Sequence, residues 1–388
     1  MIRLSLGAVA ALAFLLAAGG EARAADENRA AFFACDGYDP PTDRSDGVSF
    51  ENNIAGILST YARYTHRAEI APGAGGVRSC DSALADPRVG PAHWMRKASL
   101  LRGRALHNLA AGDAAAALAD LDLAEAAAPD RSELHFRRGM GNGIVLLRAY
   151  ALRTLGRQKE AEALAMQAFA ERPYSRQAIL SALMAVGANA DWSVIAALVD
   201  RFAELDPKLA ATLQPTSGEL ADSPDLRAGL RDLASENGEM LKMLAAYLPE
   251  AEAPGRVPRY GSINLWDTED GYVARNFKGA SYLTVRMFGH RASGAIVEEM
   301  ALLRAAELAL KDKQPSVLVV ERFDFRQSDA HTLYGMVLNT QPNGYRSDIG
   351  VLFRNPADAA SADYRWRLLD AQKIIDTLGP IYLPPKRR

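Results

Sequence analysis

The chain has 388 residues, 45 basic and 47 acidic, and two cysteines. Charge this close to balance excludes an electrostatic case for nucleic acid or for an anionic membrane surface, and no nucleic-acid partner is expected. A length of 388 residues exceeds what one hydrophobic core ordinarily serves, so two domains are expected.

The chain opens with a secretory pattern. Arg3 supplies a positive n-region, Leu4 to Ala18 is an uncharged and mostly apolar run, and Ala22-Arg23-Ala24 forms an A-x-A cleavage site. Residues 1–24 are therefore expected to be a signal peptide cleaved before Ala25, placing the mature protein in the periplasm or outside the cell. The apolar run breaks at Gly19-Gly20-Glu21, short of the roughly 20 residues a spanning helix needs. No transmembrane segment is expected in the mature chain. Cys35 and Cys80 both fall in the exported part, where an isolated pair is most simply one disulfide. No further cysteine or suitably spaced histidine completes a zinc site, so neither metal nor cofactor is expected.

Ser49 to His66 carries Ile54, Ile57, Leu58 and Tyr61 at helical spacing. Pro72 to Gly76 ends that helix, and a short one is expected from Val77 to Asp86. A longer helix begins near His93 with Leu100, Leu101, Ala105, Leu106 and Leu109 on its apolar side. Gly112-Asp113 makes a turn, Ala114 to Ala128 forms a small-residue helix, and Pro129 stops it. The same marks recur 44 residues later, at Gly156, Ala161, Ala168 and Pro173 in place of Gly112, Ala117, Ala124 and Pro129. Four matches in register indicate a helical repeat. A third unit runs from Pro173 to Pro207, with Leu183, Val186, Ile195, Val199 and Phe202 in the repeat positions and its turn at Ala190-Asp191.

These units resemble tetratricopeptide repeats over about residues 93–207. The array is diverged: no unit has the family's early tryptophan or its Leu-Gly pair, and about ten extra residues, including Gly139 to Gly143, separate the first two units. That glycine-rich stretch lacks both the Gly-Lys-Ser/Thr ending of a phosphate loop and a preceding strand; it reads as a mobile or kinked connection. The resemblance implies a solenoid whose first helices line a concave groove for a protein or peptide partner in the envelope. By the family's pattern that groove includes Arg102, Leu106, Leu146, Tyr150, Arg153, Gln177, Leu180 and Met184. Leu146, Leu180 and Met184 equally suit packing between helices.

Ser223-Pro224 starts another helical region, whose Met240, Leu241, Met243, Leu244 and Leu248 suit a cover for the last repeat's apolar edge. The helical domain is expected over 25–248, a linker over 249–262, and a second domain over 263–388. In the last, Tyr272 to Phe277 and Tyr282 to Phe288 read as strands, Ala295 to Lys311 as a helix capped by Ser293, Ser316 to Phe325 and Asp348 to Phe353 as strands, and Tyr364 to Leu378 as a helix. That order suggests a small α+β domain with a mostly antiparallel sheet. Tyr282 to Val285, Leu302 to Leu310, and Asp370-Ala371 with Leu378-Gly379-Pro380 make it similar to a domain of uncharacterised bacterial envelope lipoproteins, without a lipid anchor.

No catalytic residue is expected. The six histidines fall in no H-x-x-x-H and no G-x-S-x-G setting. Arg322, Asp324 and Arg326 share one strand face and read as a solvated ladder, with Phe323 and Phe325 on the opposite face. Asp329 with His331 could orient a base but lacks a nucleophile. The leading expectation is a partner-binding scaffold, and the alternative a periplasmic enzyme with a diffuse site in the C-terminal domain.

Overall fold

The computed structural model describes residues 29–42, 46–48, 73–213, 239–252, 255, 257–263, 270–276, 279–290, 292–333 and 336–383. The leader, the Ser49–His66 helix and the helix start at Ser223 lie outside the described residues. The chain divides into two compact units, Met1–Pro129 and Asp130–Arg388. Among the described residues, helices make up the first unit and the early part of the second, and a five-stranded antiparallel sheet forms in the C-terminal part. No helix among the described residues is long and apolar enough to cross a membrane.

In the first unit, a helix over 29–36 (α1) and Ala74–Leu84 (α2) are joined by the disulfide Cys35–Cys80, with Cα atoms 4.7 Å apart. Both cysteines are buried in a cluster with Phe32, Ala83 and Leu100. Trp94–Ala110 (α3) lies against α2 and against Ala114–Ala126 (α4). The α3–α4 turn uses Gly112 at φ +85°, a region that favours glycine, followed by Asp113, whose side chain accepts from the Ala116 N–H at 2.9 Å. Ala117 and Ala124 are fully buried, so the two helix axes can approach closely.

In the second unit the ten extra residues do not form a loose connection. Leu134–Phe136 (α5), a π turn at Arg137–Gly141 and Asn142–Thr154 (α6) run on as one helix. Gln158–Glu171 (α7) follows across a turn with Gly156 at φ +76°. Arg176–Val186 (α8) and Trp192–Leu205 (α9) make the next pair. Their turn begins earlier than expected, at Gly187 with φ +68°, and ends on Asp191, which caps α9 by accepting from the Ser193 N–H. Pro207–Leu213 (α10) and Glu239–Tyr247 (α11) are the remaining described helices before the sheet.

The sheet contains Gly271–Asn276 (β1), Leu283–His290 (β2), Ser316–Leu333 (β3), Met336–Arg354 (β4) and Leu369–Asp370 (β5), in the order β1-β2-β4-β3-β5. Gly294–Lys311 (α12), capped by Ser293, covers one face, and Ala371–Tyr382 (α13) packs beside it. Val285, Met287, Val319, Ile349 and Val351 form the buried layer under α12.

A bulge between Val319 and Glu321 reverses the alternation of β3, because one extra residue moves every later side chain to the other face. Arg322, paired with Ile349, therefore turns towards α12, while Phe323 and Phe325 turn away. The charged face of β3 is thus not a solvated ladder. Arg322 is buried, 3.1 Å from Glu298 of α12, and the phenylalanines are exposed instead.

Candidate functional site

The expected groove residues divide between the two units. In the first, Arg102 of α3 is buried and Leu106 half-buried. In the second, Leu146 and Met184 are buried, while Tyr150, Arg153, Gln177 and Leu180 are half-buried. The second set meets the chain's own α11. Gln177 Nε2 donates to the Leu248 carbonyl at 3.3 Å, Ser181 Oγ to the Tyr247 carbonyl at 2.8 Å, and Arg153 Nη2 approaches Met240 Sδ at 3.5 Å. The last carbonyls of a helix have no partner within it; here α8 side chains supply two of those partners. Met240, Leu241, Leu244, Ala245 and Leu248 are buried, so the apolar stripe of α11 is spent inside the molecule.

Arg153 is placed unlike a surface cation. Its guanidinium stacks 4.5 Å from the Tyr150 ring, and a side chain at Gly187 would collide with Nη1 at 2.4 Å. No carboxylate among the described residues pairs with it, and burial pulls its pKa below the ordinary arginine value.

A buried ionic cluster lies between the helices and the sheet of this unit. Arg172 and Glu299 are both 0% exposed. Glu299 Oε2 accepts from Arg138 Nη2 at 2.6 Å, Arg172 Nη2 at 2.9 Å and the Tyr382 hydroxyl at 2.5 Å. Arg172 Nη1 donates to Glu252, whose Oε1 also accepts from Ser293 Oγ at 2.9 Å. Arg172 Nη1 also donates to the Arg138 carbonyl, within the π turn, at 3.2 Å. Gly139 leaves room for the chain at 250–252, since a Cβ there would sit 2.7 Å from the Glu250 carbonyl oxygen and 2.8 Å from the Glu252 nitrogen. Burial alone would push Glu299 up, but the Arg138 and Arg172 charges and their hydrogen bonds hold it down to about 2. Two arginines balance two glutamates, so the cluster is neutral in formal charge.

A second set adjoins it through Glu298. Arg176 pairs with Asp206 at 2.5 Å, with Glu298 at 3.3 Å and with Asp324, while Arg322 pairs with Glu298 and, at 2.9 Å, with Asp324. Ser347 Oγ donates to Asp324 at 2.6 Å. These side chains tie α8, α12 and β3 together. The residues β3 contributes were visible in the sequence; their partners on α8 and α12, more than 20 positions away, carried no local signal.

On the opposite face of the sheet, two cross-strand rows lie side by side. Arg286, Asp348 and Phe323 form one, and Phe288, Arg346 and Phe325 the other. Arg286 holds Asp348 with both Nε and Nη2, at 2.9 and 2.7 Å. Arg346 stacks 4.0 Å from the Phe325 ring and 5.9 Å from that of Phe288.

The side chains of Asp329 and His331 lie outside the described residues. Among the described residues, no group of three or more histidine, cysteine, aspartate or glutamate side chains could hold a metal ion. Comparison with protein-family models, with curated proteins and with solved structures finds no match.

Proposed function

We propose that this chain is an exported helical-repeat protein of tetratricopeptide type, acting as a scaffold for protein or peptide partners in the cell envelope. Two helix pairs that turn on positive-φ glycines at equivalent positions, Gly112 and Gly156, support the repeat reading, as do the buried alanines Ala117, Ala124, Ala161 and Ala168. The buried disulfide supports an oxidising compartment. The observation that carries the binding reading is α11 seated on α8: the groove positions Gln177 and Arg153 receive an amphipathic helix, and Gln177 also takes up a carbonyl at its end.

The test places a photo-crosslinking amino acid at Leu106, a groove position of the first unit, and for comparison at Leu123, which is exposed on α4. In cells exporting the protein, adducts with another envelope protein are expected from Leu106 and not from Leu123. Equal adducts at both positions, or none at Leu106, would count against a groove. Mass spectrometry of the exported chain should also find Ala25 at its N-terminus.

A further inference from the structure

The sheet face turned away from α12 carries an apolar cluster that core formation does not explain. Phe323 is 45% and Phe325 40% exposed, and their rings stack with centroids 6.4 Å apart. The other large apolar side chains exposed among the described residues, Leu123, Leu155, Tyr247 and Tyr364, each stand on a different element. A sheet that leaves neighbouring rings in water ordinarily does so for a partner.

Cations border the rings. Arg346 lies over Phe325, Arg286 over Phe288 at 5.9 Å, and Lys208 over Phe323 at 5.9 Å. Asp348, the carboxylate within the two rows, is 8% exposed and already held by Arg286. Arg346 Nε sits 3.2 Å from the same carboxylate, outside hydrogen-bonding geometry. Neither of its terminal amino groups hydrogen-bonds to any described residue. The guanidinium carbon therefore lies 4.0 Å over the Phe325 ring with its outer fork unspent among the described residues, an arrangement suited to a carboxylate met side-on.

We infer that the face formed by Phe288, Phe323, Phe325, Arg286 and Arg346 docks an extended acidic peptide segment of a partner protein, with a carboxylate on the Arg346 fork and an apolar side chain over the phenylalanine pair. In an extended segment, alternate side chains lie on one face, so a carboxylate and an apolar side chain two residues apart can meet Arg346 and the phenylalanine pair from the same side, Arg346 being the cross-strand neighbour of Phe325. Aromatic and arginine side chains are also the residue types that concentrate binding energy at interfaces. The surface uses none of the expected groove residues, so it stands or falls separately from the groove.

The probe is a short fluorescein-labelled peptide alternating glutamate and phenylalanine, titrated by anisotropy against the full exported chain. A matched lysine–phenylalanine peptide, an oligothymidylate and polygalacturonate serve as alternatives. The acidic peptide is expected to bind best. Arg346→Ala should weaken it about tenfold, the 1 to 2 kcal/mol of a stacked, charge-assisted contact. Arg346→Lys should restore less than half of that loss, because an ammonium lacks the fork. Phe323→Ser with Phe325→Ser should reduce binding to that of the lysine peptide, with circular dichroism confirming that the variants fold. The inference is overturned if the acidic peptide does not bind, if the variants bind like the parent, or if either polyanion binds more tightly than the peptide.

Discussion

His107 shows how one side chain can report on the structure around it. Its ring is buried beside the disulfide, with Nε2 2.8 Å from the Cys35 carbonyl oxygen and Nδ1 accepting from the Gly73 N–H at 3.1 Å. Those partners require the neutral tautomer with hydrogen on Nε2, and Gly76 leaves space for the ring, since a Cβ there would lie 2.0 Å from it. Burial lowers the pKa of His107, outweighing the Cys35 carbonyl and the Asp36 charge, which favour the proton. The folded value lies below the unfolded one of about 6.5, so the unfolded chain takes up the proton first. The resulting stability is present above about pH 6.5 and is lost as pH falls through the folded value. Thermal unfolding between pH 7.5 and 5 should therefore show a decline that His107→Gln flattens, with the variant less stable by on the order of 1 kcal/mol at the upper pH. Parallel curves for parent and variant would show that His107 does not titrate on unfolding. The sequence marked His107 only as one of six scattered histidines, because its partners come from Cys35 and Gly73, elements away along the chain.

At the scale of elements, glycines divide into those that the sequence explains and those that only packing explains. Gly112 and Gly156 stand where a turn between helices needs a positive φ, and a Cβ at either would meet nothing within 4 Å. Gly139 is the reverse: its helical backbone suits any residue, and only the close approach of 250–252 demands glycine. Gly156→Ala should accordingly cost about 1 kcal/mol from backbone strain alone. Gly139→Ala should cost about 1 to 3 kcal/mol from overpacking against backbone that cannot rotate away, and should raise hydrogen exchange around Glu252 as well. Equal costs, with exchange unchanged at Glu252, would contradict the packing role. The helix pairs and most strands were readable from periodicity and turn residues, but several boundaries were not: the strand expected over Ser316–Phe325, for one, runs on to Leu333. The strand expected over Asp348–Phe353 extends back to Met336, because Pro342-Asn343-Gly344, a turn signal by composition, sits in a register shift of the β3–β4 ladder. Pro342 pairs with Ser328 beside that shift, the kind of irregularity at which a strand proline is ordinarily found. The final helix, expected over Tyr364–Leu378, is a 3-10 segment, Ala359–Arg367, and then α13, separated by β5 pairing with Ser316 and Val317. Gly187, not Ala190, opens the α8–α9 turn, and a valine–glycine step at a helix end was the available signal.

For the whole molecule, the decisive structure is long-range and charged, which is why composition alone did not reveal it. The first unit is fastened by one disulfide, closing 45 positions of chain, and by Arg96, whose guanidinium grips the Asp36 carboxylate at 2.5 and 2.9 Å. Loop closure of that size is worth roughly 4 kcal/mol in the chain-entropy model. Reduction should therefore lower the protection of amides in the first unit while leaving α12 and the sheet unchanged in hydrogen exchange. Loss of protection in both units would mean that the disulfide governs the fold of the entire chain. The cysteine pair was readable because two cysteines permit one pairing. The cluster of Arg138, Arg172, Glu252 and Glu299 was not, because nothing local distinguishes a buried arginine from a solvated one. The placement of α11 also sets a quantitative condition on any partner helix for α8. A helix carried in the same chain competes at an effective concentration on the order of millimolar, and if it is seated 99% of the time the apparent affinity of a rival falls about 100-fold. Occupancy of α8 by an outside helix is therefore a question of mass action: a partner present at micromolar levels must bind α8 far better than α11 does, or arrive where α11 has been unseated.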